Sequence, residues 1–394
     1  MKSVIERMNE TGAQKKAADF QVKMKMDYPF KKRYAEIRAW EFYNHPEVRG
    51  NCYVAVGGLD SITLLLFLRS IGIDVPAVSV SHLEDRSIQR IHKELGVTSL
   101  PPVKKPDGKP WTKSEVIREF GFPVLSKEIA GKISLLQHPR EDNATVRHAI
   151  MTGETGAYGG YRTGTRMRLA QKWLDLFGGP ENEREGTHYQ TAPFLVSDRC
   201  CYYLKERPCN LYAKESGRYP YMGLMASEGG RRQKTLMLNG CNYITPGTKR
   251  SCPFAIFTRQ DLLTLALELD VPVPEIYGEI VRDPDGTLRT TKAQRTGCSM
   301  CGLGIHLEQR PHRFDRLREE NPKEWEYQMF HIGRDLEGKE IGWAQVLDYI
   351  GVGWTPESLE ADLARQRQKG EKKARLLAEK MMAEAQTKLE GVLP

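Results

Sequence analysis

The sequence lacks any uninterrupted apolar run near eighteen residues, and only 40% of its 394 residues are hydrophobic. A membrane-spanning helix needs about twenty consecutive apolar residues, so the sequence excludes one. The first residues are polar and charged, so no secretory signal peptide is expected. The eight cysteines are too few for a disulfide scaffold in a chain of this length. These features predict a cytoplasmic protein whose clustered cysteines serve metal or redox chemistry.

Basic residues exceed acidic ones by eight, a moderate surplus that favours anionic partners and that nucleotides alone would satisfy. Part of the surplus lies in the first forty residues, where Lys and Arg outnumber Asp and Glu by ten to five. The run Lys31-Lys32-Arg33 in this segment is interpreted as a solvated helix face, with nucleic-acid contact as the alternative.

The most informative stretch is a β-branched segment that ends at Val56 and leads into Gly57 and Gly58. A Leu-rich helix pattern follows, and its first residues, Asp60 and Ser61, favour a helix start. Glycines let the backbone approach a ligand closely, and a helix N-terminus offers unpaired N–H groups. The pattern is typical of a phosphate site, and a plain strand-turn-helix corner is the alternative.

Strands and helices alternate after this turn. Residues 75–81 predict a second buried strand, 85–95 a helix and 97–100 a third strand. Such alternation indicates a parallel sheet with right-handed crossovers. Ligands of such sheets bind at the carboxyl ends of the strands, where the Gly57-Gly58 turn is expected to lie.

The rest of the chain is predicted to be largely helical. Helices are predicted over 1–45, 169–177, 262–269 and 343–349, the third capped by Thr258. The glycine-rich stretch 152–161 is expected to be a surface loop. From 356 onward, apolar residues at four-residue spacing predict a helical tail, which packs on the body or pairs with another subunit as a homo-oligomer.

A family resemblance follows from these residues. Gly57-Gly58-Leu59-Asp60-Ser61 resembles the S-G-G-x-D-S pyrophosphate loop (PP-loop) of the ATP pyrophosphatase superfamily. Later blocks resemble its phosphoadenosine phosphosulfate (PAPS) reductase branch, especially the phage- and mobile-element-type members. These blocks are 122–128; Cys200-Cys201 with Lys205 and Pro208; 223–228 with Arg231 and Arg232; and 295–301. The resemblance extends over roughly residues 50 to 350.

The resemblance implies a fold and a division of the chain. The fold is α/β, with a Rossmann-like parallel sheet of the adenine nucleotide alpha-hydrolase-like type and helical extensions at both ends. The implied segments are an N-terminal helical segment 1–45, a PP-loop nucleotide-binding domain 46–260, its C-terminal part with the C-x-x-C motif 261–355, and a charged helical tail 356–394.

The resemblance also implies ligands and site residues. The bound nucleotide would be ATP, PAPS or adenylylsulfate, and the implied binding residues are Gly57, Gly58, Asp60 and Ser61. Asp60 would partly hold a Mg²⁺ ion, and Lys127, Arg231 and Arg232 would oppose negative charge that develops on the phosphates. Between Arg199 and Lys234 basic residues outnumber acidic ones by eight to three, which fits a phosphate or sulfate site in the matching block.

The cysteines predict a metal centre. Cys298 and Cys301 form a C-x-x-C pair, which brings two thiolates within reach of one centre, and Cys200-Cys201 supplies a second pair. Assimilatory adenylylsulfate reductases, which this region resembles, hold one [4Fe-4S] cluster with such pairs, so the resemblance implies these four residues as cluster ligands. A Cys₄ zinc site uses the same donors, and unliganded thiols are the third alternative.

The remaining cysteines are assigned less specific roles. Cys241 is an alternative to Cys200 as a ligand, because adjacent residues rarely point at one centre. Cys52, Cys209 and Cys252 are interpreted as ordinary small apolar residues.

Two departures from the family pattern affect the expected activity. Val56 stands where the family has the first loop serine, so one hydroxyl donor is missing. Sulfonucleotide reductases attack sulfate with a cysteine in a C-terminal E-C-G-[LI]-H segment, whereas this chain has no cysteine after Cys301. Gly304-Ile305-His306 is only superficially similar to that segment. Without the thiolate the covalent thiosulfonate intermediate does not form by the usual route.

Three functions remain open at this point. The leading hypothesis is a transferase that adenylylates an acceptor with release of pyrophosphate, in sulfur transfer or nucleic-acid modification. Related proteins thiolate tRNA or modify DNA, so the implied partners include tRNA or DNA and a sulfur-donor or thiol protein. The second hypothesis is a true sulfonucleotide reductase or sulfotransferase. The third is a non-catalytic nucleotide- or nucleic-acid-binding accessory protein.

Overall fold

The structure, a computed structural model, describes residues 13–154, 167–180 and 189–390. The predicted loop 152–161 therefore lies outside the described residues from 155 onward. The chain divides into two compact units. Unit 1 comprises Met1–Val116, Pro139–Ala170 and Arg199–Cys301, and unit 2 comprises Ile117–His138, Gln171–Asp198 and Gly302–Pro394.

Unit 1 contains a six-stranded, mostly parallel sheet. Its strands are β1 (Cys52–Ala55), β2 (Ala77–Ser79), β3 (Thr98–Ser99), β4 (Tyr219–Tyr221), β5 (Asn242–Thr245) and β6 (Thr248–Ser251). They lie in the order β3-β2-β1-β4-β6-β5, and β5 runs antiparallel to β6. β1 pairs in parallel with β2 through Val54 and Ala77, and with β4 through Val54 and Tyr221. The predicted α/β class with a parallel sheet is confirmed.

Helices occupy most of the remaining chain. Up to residue 154 they are α1 (Ala13–Lys25), α2 (Tyr28–Asn44), α3 (Leu59–Ser70), α4 (Arg86–Glu94), α5 (Lys113–Phe120), α6 (Lys127–Gln137) and α7 (Ala144–Thr152). Beyond residue 166 they are α8 (Gln171–Phe177), α9 (Arg199–Cys201), α10 (Arg207–Ser216), α11 (Gly230–Asn239), α12 (Arg259–Glu268), α13 (Arg313–Glu320), α14 (Pro322–Phe330), α15 (Trp343–Ile350) and α16 (Pro356–Glu390). A π-helical turn, Tyr202–Glu206, joins α9 to α10. None of the helices in these described ranges is long and apolar enough to cross a membrane.

The helix caps explain where two predicted helices begin. Asp85 caps α4 by accepting a hydrogen bond from the Ser87 amide at 2.8 Å. Thr258 caps α12 in a capping box with Asp261, so this helix begins at Arg259, three residues before the predicted start. The cap at Thr258 was predicted from the sequence, whereas the cap at Asp85 was not.

Helix α3 is anchored in the main core of unit 1. Leu59, Ile62 and Phe67 are fully buried, and they share one apolar cluster with Val54 of β1. Burying a side chain of this size contributes about 1.5–3 kcal/mol. Because α3 is buried on several sides, its sequence shows a continuous apolar run rather than a one-sided stripe. The core therefore fixes the helix that follows Gly57 and Gly58.

The N-terminal helices predicted over 1–45 are present as α1 and α2 in the described range. The interpretation of Lys31-Lys32-Arg33 as a solvated face is wrong for Lys31, which is only 4% exposed and pairs with Asp261 at 2.8 Å. Lys32 pairs with Glu268 at 2.7 Å and Arg33 with Glu36 at 2.6 Å. The sequence pattern missed this because the acidic partners of both lysines are more than two hundred residues away.

The buried pair gives a stability prediction. Lys31→Ala is expected to lower the free energy of unfolding by about 3 kcal/mol, because it leaves the Asp261 carboxylate buried without its counter-ion. Lys32→Ala is the matched control, since its pair with Glu268 is exposed and should cost less than about 1 kcal/mol. Urea unfolding of both variants checks this. If both variants lost the same free energy of unfolding, the buried ion pair of Lys31 with Asp261 would not be the cause of the loss.

Unit 2 contains α6, α8 and α13–α16, with a small antiparallel ladder of Gly333–Arg334 and Glu340–Ile341. The buried Arg310 guanidinium donates to Asp315 at 2.6 and 2.8 Å and to Asp362 at 3.3 Å. Since Asp362 lies near the start of α16, this network fixes the first turns of the predicted helical tail. The predicted helix 343–349 is confirmed as α15.

Candidate functional site

The strand order of unit 1 creates a topological switch point at β1. From β1 the chain goes to β2 and β3 on one side, and β4 then pairs on the other side of β1. In open α/β sheets, ligands bind in the crevice at the carboxyl ends of the two strands at such a point. The loop with Gly57 and Gly58 follows β1, and the loop with Gly223 follows β4. Both loops therefore lie where a ligand is expected.

These two loops are in close backbone contact. A Cβ atom at Gly223 would lie only 2.9 Å from the Asp60 carbonyl oxygen, so a larger residue would push the loops apart. A Cβ at Gly58 would lie 2.2 Å from the Tyr277 hydroxyl oxygen. The predicted need for glycine in the first loop thus has a specific cause at Gly58, the packing of Tyr277.

The first loop is held partly by its own hydrogen bonds. The Gly57 amide donates to Ser61 Oγ at 2.7 Å, and Ser61 Oγ donates to the Gly58 carbonyl at 2.9 Å. The Leu59 amide donates to the Tyr277 hydroxyl at 3.2 Å. Among the described residues the amides of Gly58 and Asp60 have no hydrogen-bond partner. The arrangement leaves these two amides for a ligand, whereas Ser61 stabilises the loop itself.

Asp60 pairs with a residue that the sequence did not single out. Its carboxylate accepts a hydrogen bond from Nη1 of Arg259, the first residue of α12. Burial raises the pKa of the Asp60 carboxyl, the Arg259 guanidinium lowers it, and the nearby Glu228 carboxylate raises it, with a net rise. The expected Mg²⁺ at Asp60 stays a prediction.

Arg259 has further donors to offer. Its Nε and Nη2 atoms are buried and have no hydrogen-bond partner among the described residues. Buried donors without partners are costly, so an anion at this position would stabilise them. One signal could have identified this residue. Arg259 is a basic residue in the first turn of a helix, where the helix dipole favours negative charge. A cation at that place indicates an anion close by.

A second group of charges follows β4. The side chain of Glu228 is buried, accepts a hydrogen bond from the Met225 amide at 3.2 Å and pairs with Arg232 and with Arg295, the latter at 3.3 Å. Arg232, predicted to oppose phosphate charge, is thus held by Glu228 at the expected end of the sheet. The side chain of Arg231 lies outside the described residues.

Lys127 was also predicted to act at the phosphates. It is exposed and is the first residue of α6, which Ser126 caps by accepting from the Ile129 amide at 3.2 Å. Lys127 belongs to unit 2, whereas the Gly57-Gly58 loop belongs to unit 1. Its role at the nucleotide stays a prediction.

Tyr277 connects the loop to the block that contains Cys298. Its hydroxyl hydrogen-bonds to Thr296 Oγ1 at 2.7 Å, and Thr296 lies two residues before Cys298. Burial raises the pKa of Tyr277, so the hydroxyl stays protonated at neutral pH. No pattern in the sequence indicated Tyr277, because it is far from Gly58 along the chain and lies outside the four blocks.

The four predicted cluster cysteines lie in unit 1 and influence one another electrostatically. Desolvation raises the pKa of Cys200, Lys113 lowers it, and the thiols of Cys298, Cys301 and Cys201 raise it further. Within the described ranges, no group of three or more His, Cys, Asp and Glu side chains has the arrangement of a metal-ion site. The assignment of a cluster or zinc to these residues stays a prediction.

The backbone around both cysteine pairs is unusual. Cys200 and Cys201 directly precede the π-helical turn Tyr202–Glu206, a rare conformation that is frequent at functional sites. Between Cys298 and Cys301, the buried Met300 has a φ angle of 49°, which costs strain in a residue other than glycine. Sequence patterns do not reveal either feature.

Lys205 of the π-helical turn interacts with the cysteines and with a neighbour of the Gly57-Gly58 loop. It pairs with the buried Glu84 at 2.7 Å. Burial lowers the pKa of Lys205, but the charges of Cys298 and Glu84 raise it, so that the ammonium is favoured on balance. A Cβ atom at Gly57 would lie 3.7 Å from Glu84 Oε1. Lys205 therefore places positive charge beside Cys298 and is linked to the loop through Glu84.

The other cysteines lie in separate surroundings. Cys241 is buried, and burial raises its pKa to about 12; its neighbours include Tyr34 and Arg38 rather than Cys298 or Cys301. Cys52 and Cys252 are buried in the same apolar core, and Cys209 is partly buried, as predicted. The charges of Cys298 and Cys301 act on Cys200, and the choice between Cys200 and Cys241 as a ligand stays a prediction.

Comparison of the chain with models of known protein families and with curated proteins found no match. The sheet, the switch point and the charged groups around Gly58 therefore define the site on their own. The class they define is an α/β protein with a mostly parallel six-stranded sheet.

Proposed function

We propose that this protein belongs to the PP-loop type of adenine nucleotide-binding proteins and is related to the PAPS reductases. It binds ATP or a related adenine nucleotide at the loop from Gly57 to Ser61 and acts at the α-phosphate. The observation that carries this proposal is that two buried nitrogen atoms of Arg259, Nε and Nη2, have no partner among the described residues and lie next to the first turn of α3. The amides of Gly58 and Asp60, which also lack a partner in the described ranges, support it.

The proposed reaction is adenylylation. An acceptor oxygen forms a bond to the α-phosphorus, the bond from that phosphorus to the bridging oxygen of the β-phosphate breaks, and pyrophosphate leaves with the electron pair. Fixed positive charge favours such a step, because negative charge accumulates on the phosphate oxygens. Arg259 and the loop amides are suited to supply it, with Arg232 and Arg295 as further cations. Mg²⁺ would neutralise phosphate charge beside Asp60.

The cysteine group fits an iron–sulfur cluster chemically. Cys200, Cys201, Cys298 and Cys301 provide the four thiolates that such clusters use, and Lys205 and Lys113 offset their charge. These residues would hold the cluster, which would supply sulfur binding or electron transfer near the acceptor. Zinc with the same four ligands is the alternative. A tRNA, a DNA or a sulfur-donor protein is the proposed partner.

Pyrophosphate release tests this proposal. The protein, purified without oxygen, is incubated with ATP and Mg²⁺, alone and with tRNA or DNA, and pyrophosphate is quantified. Release that increases with an acceptor and is lost in Arg259→Met supports adenylylation. Failure to bind ATP would overturn the proposal. Sulfite release from PAPS would instead indicate the sulfonucleotide reductase that the absence of a late cysteine disfavours.

A second candidate is a nucleotide-binding accessory protein without catalysis. Two observations favour it: the buried Val56 supplies no hydroxyl, and the Asp60 carboxylate already pairs with Arg259. ATP binding without pyrophosphate release, in the presence of either nucleic acid, distinguishes this candidate from the enzyme.

A further inference from the structure

His92 is a buried histidine whose two ring nitrogens both have partners at the phosphate loop or beside it. It lies on α4 and is only 1% exposed. Nε2 is 2.8 Å from the Gly57 carbonyl oxygen, and Nδ1 is 3.0 Å from Ser81 Oγ. A carbonyl oxygen only accepts, so Nε2 carries the proton and donates to Gly57. Burial lowers the pKa of His92, so the ring is neutral near pH 7, and the Ser81 hydroxyl then donates to Nδ1.

This contact fixes the direction of one amide. The Gly57 carbonyl and the Gly58 N–H belong to the same planar peptide group, and in a trans peptide they point in opposite directions. Because His92 holds the carbonyl on its side, the Gly58 N–H points away from His92. That N–H is one of the two loop amides without a partner among the described residues. Without an anchor, a peptide between two glycines rotates easily.

We propose that His92 is a positioning residue that holds the Gly57–Gly58 peptide with its N–H directed at the phosphate chain of the bound nucleotide. The Ser81 hydroxyl, which donates to Nδ1, holds the ring in the orientation that makes this possible. The inference rests on the proposed nucleotide-binding function and adds to it a residue that acts through the loop rather than on the ligand. It predicts that His92 affects recognition of the phosphates and not of the nucleoside.

Three variants separate this role from a merely structural one. His92→Leu keeps the apolar volume but removes the donor, and should weaken pyrophosphate and ATP binding at least about tenfold, the value of one hydrogen bond to a charged group. His92→Gln keeps an N–H near the Nε2 position and should restore most of the affinity. Ser81→Ala should show an intermediate loss. Ser79→Ala is the matched control, since Ser79 Oγ is buried on the neighbouring strand without a partner among the described residues.

Calorimetry with pyrophosphate, ATP and adenosine, together with thermal unfolding of each ligand-free variant, gives the answer. We expect a lower affinity for both pyrophosphate and ATP in His92→Leu, and a largely restored affinity in His92→Gln. The affinity for adenosine should be unchanged in both variants. Equal pyrophosphate affinity in His92→Leu and the parent would overturn the role of His92 alone. The role would also be overturned if His92→Leu lost as much affinity for adenosine as for pyrophosphate. The same holds if His92→Gln lost as much affinity for pyrophosphate as His92→Leu. A parent protein that binds neither phosphate ligand would overturn the proposed function itself.

Discussion

Replacing Arg259 by methionine is expected to weaken the binding of ATP and pyrophosphate by about a hundredfold or more. Nε and Nη2 of Arg259 are buried beside Asp60 without partners among the described residues. Hydrogen bonds to charged groups contribute about 1.5–3 kcal/mol each, and two such bonds to phosphate oxygens would be lost together. Arg259→Lys keeps the charge but not the forked pair of donors, so an intermediate loss is expected.

The measurement must separate ligand binding from folding. Arg259→Met leaves the Asp60 carboxylate without its cation, so the double variant Asp60→Asn/Arg259→Met is measured alongside it. Arg90→Met is the control for general loss of positive charge, since Arg90 forms an exposed pair with Glu275. Pyrophosphate titration and urea unfolding are made on the parent and on all four variants, Arg259→Lys included. If Arg259→Met is as stable as Arg90→Met and binds pyrophosphate equally well, Arg259 is not a phosphate ligand.

The sequence predicts those parts of the site that depend on local chemistry. Glycines after a buried strand, a polar helix start and alternating strands and helices were enough to predict the α/β class and the position of Gly57 and Gly58. The capping residue Thr258 was recognised for the same reason, because a cap and its helix are adjacent in the chain. In these cases the physical cause acts within a few residues.

The rest of the site depends on contacts between distant segments. Arg259 is nearly two hundred residues from Asp60, and Tyr277 is more than two hundred from Leu59. Neither pairing leaves a periodic pattern in one sequence. The basic run at Lys31 was misread for the same reason, since its carboxylate partner is supplied by α12. The π-helical turn after Cys201 also has no local signature.

The iron content of the cysteine variants is expected to show the second large effect. We expect the parent protein, purified without oxygen, to contain about four irons and matching sulfide per chain, with absorbance near 400 nm. Cys298→Ser and Cys200→Ser are each expected to lose nearly all of this iron. A cluster needs four thiolates, and the charges of Cys201, Cys298 and Cys301 all act on Cys200.

Two further cysteines make this prediction specific. Cys209→Ser is the matched control, because Cys209 follows in the same run of helices but packs against Tyr53 instead. Cys241→Ser tests the alternative ligand, and it should keep its iron because Cys241 lies near Tyr34 and Cys252. Loss of iron in Cys241→Ser with retention in Cys200→Ser would assign the fourth ligand to Cys241 and require a rearranged loop.

Zinc in the parent, lost in the same variants, would keep the four ligands but remove electron transfer from the proposed function. Iron and zinc both absent from a folded parent would leave the cysteines as thiols, and Lys205 would then serve the nucleotide site through Glu84 alone.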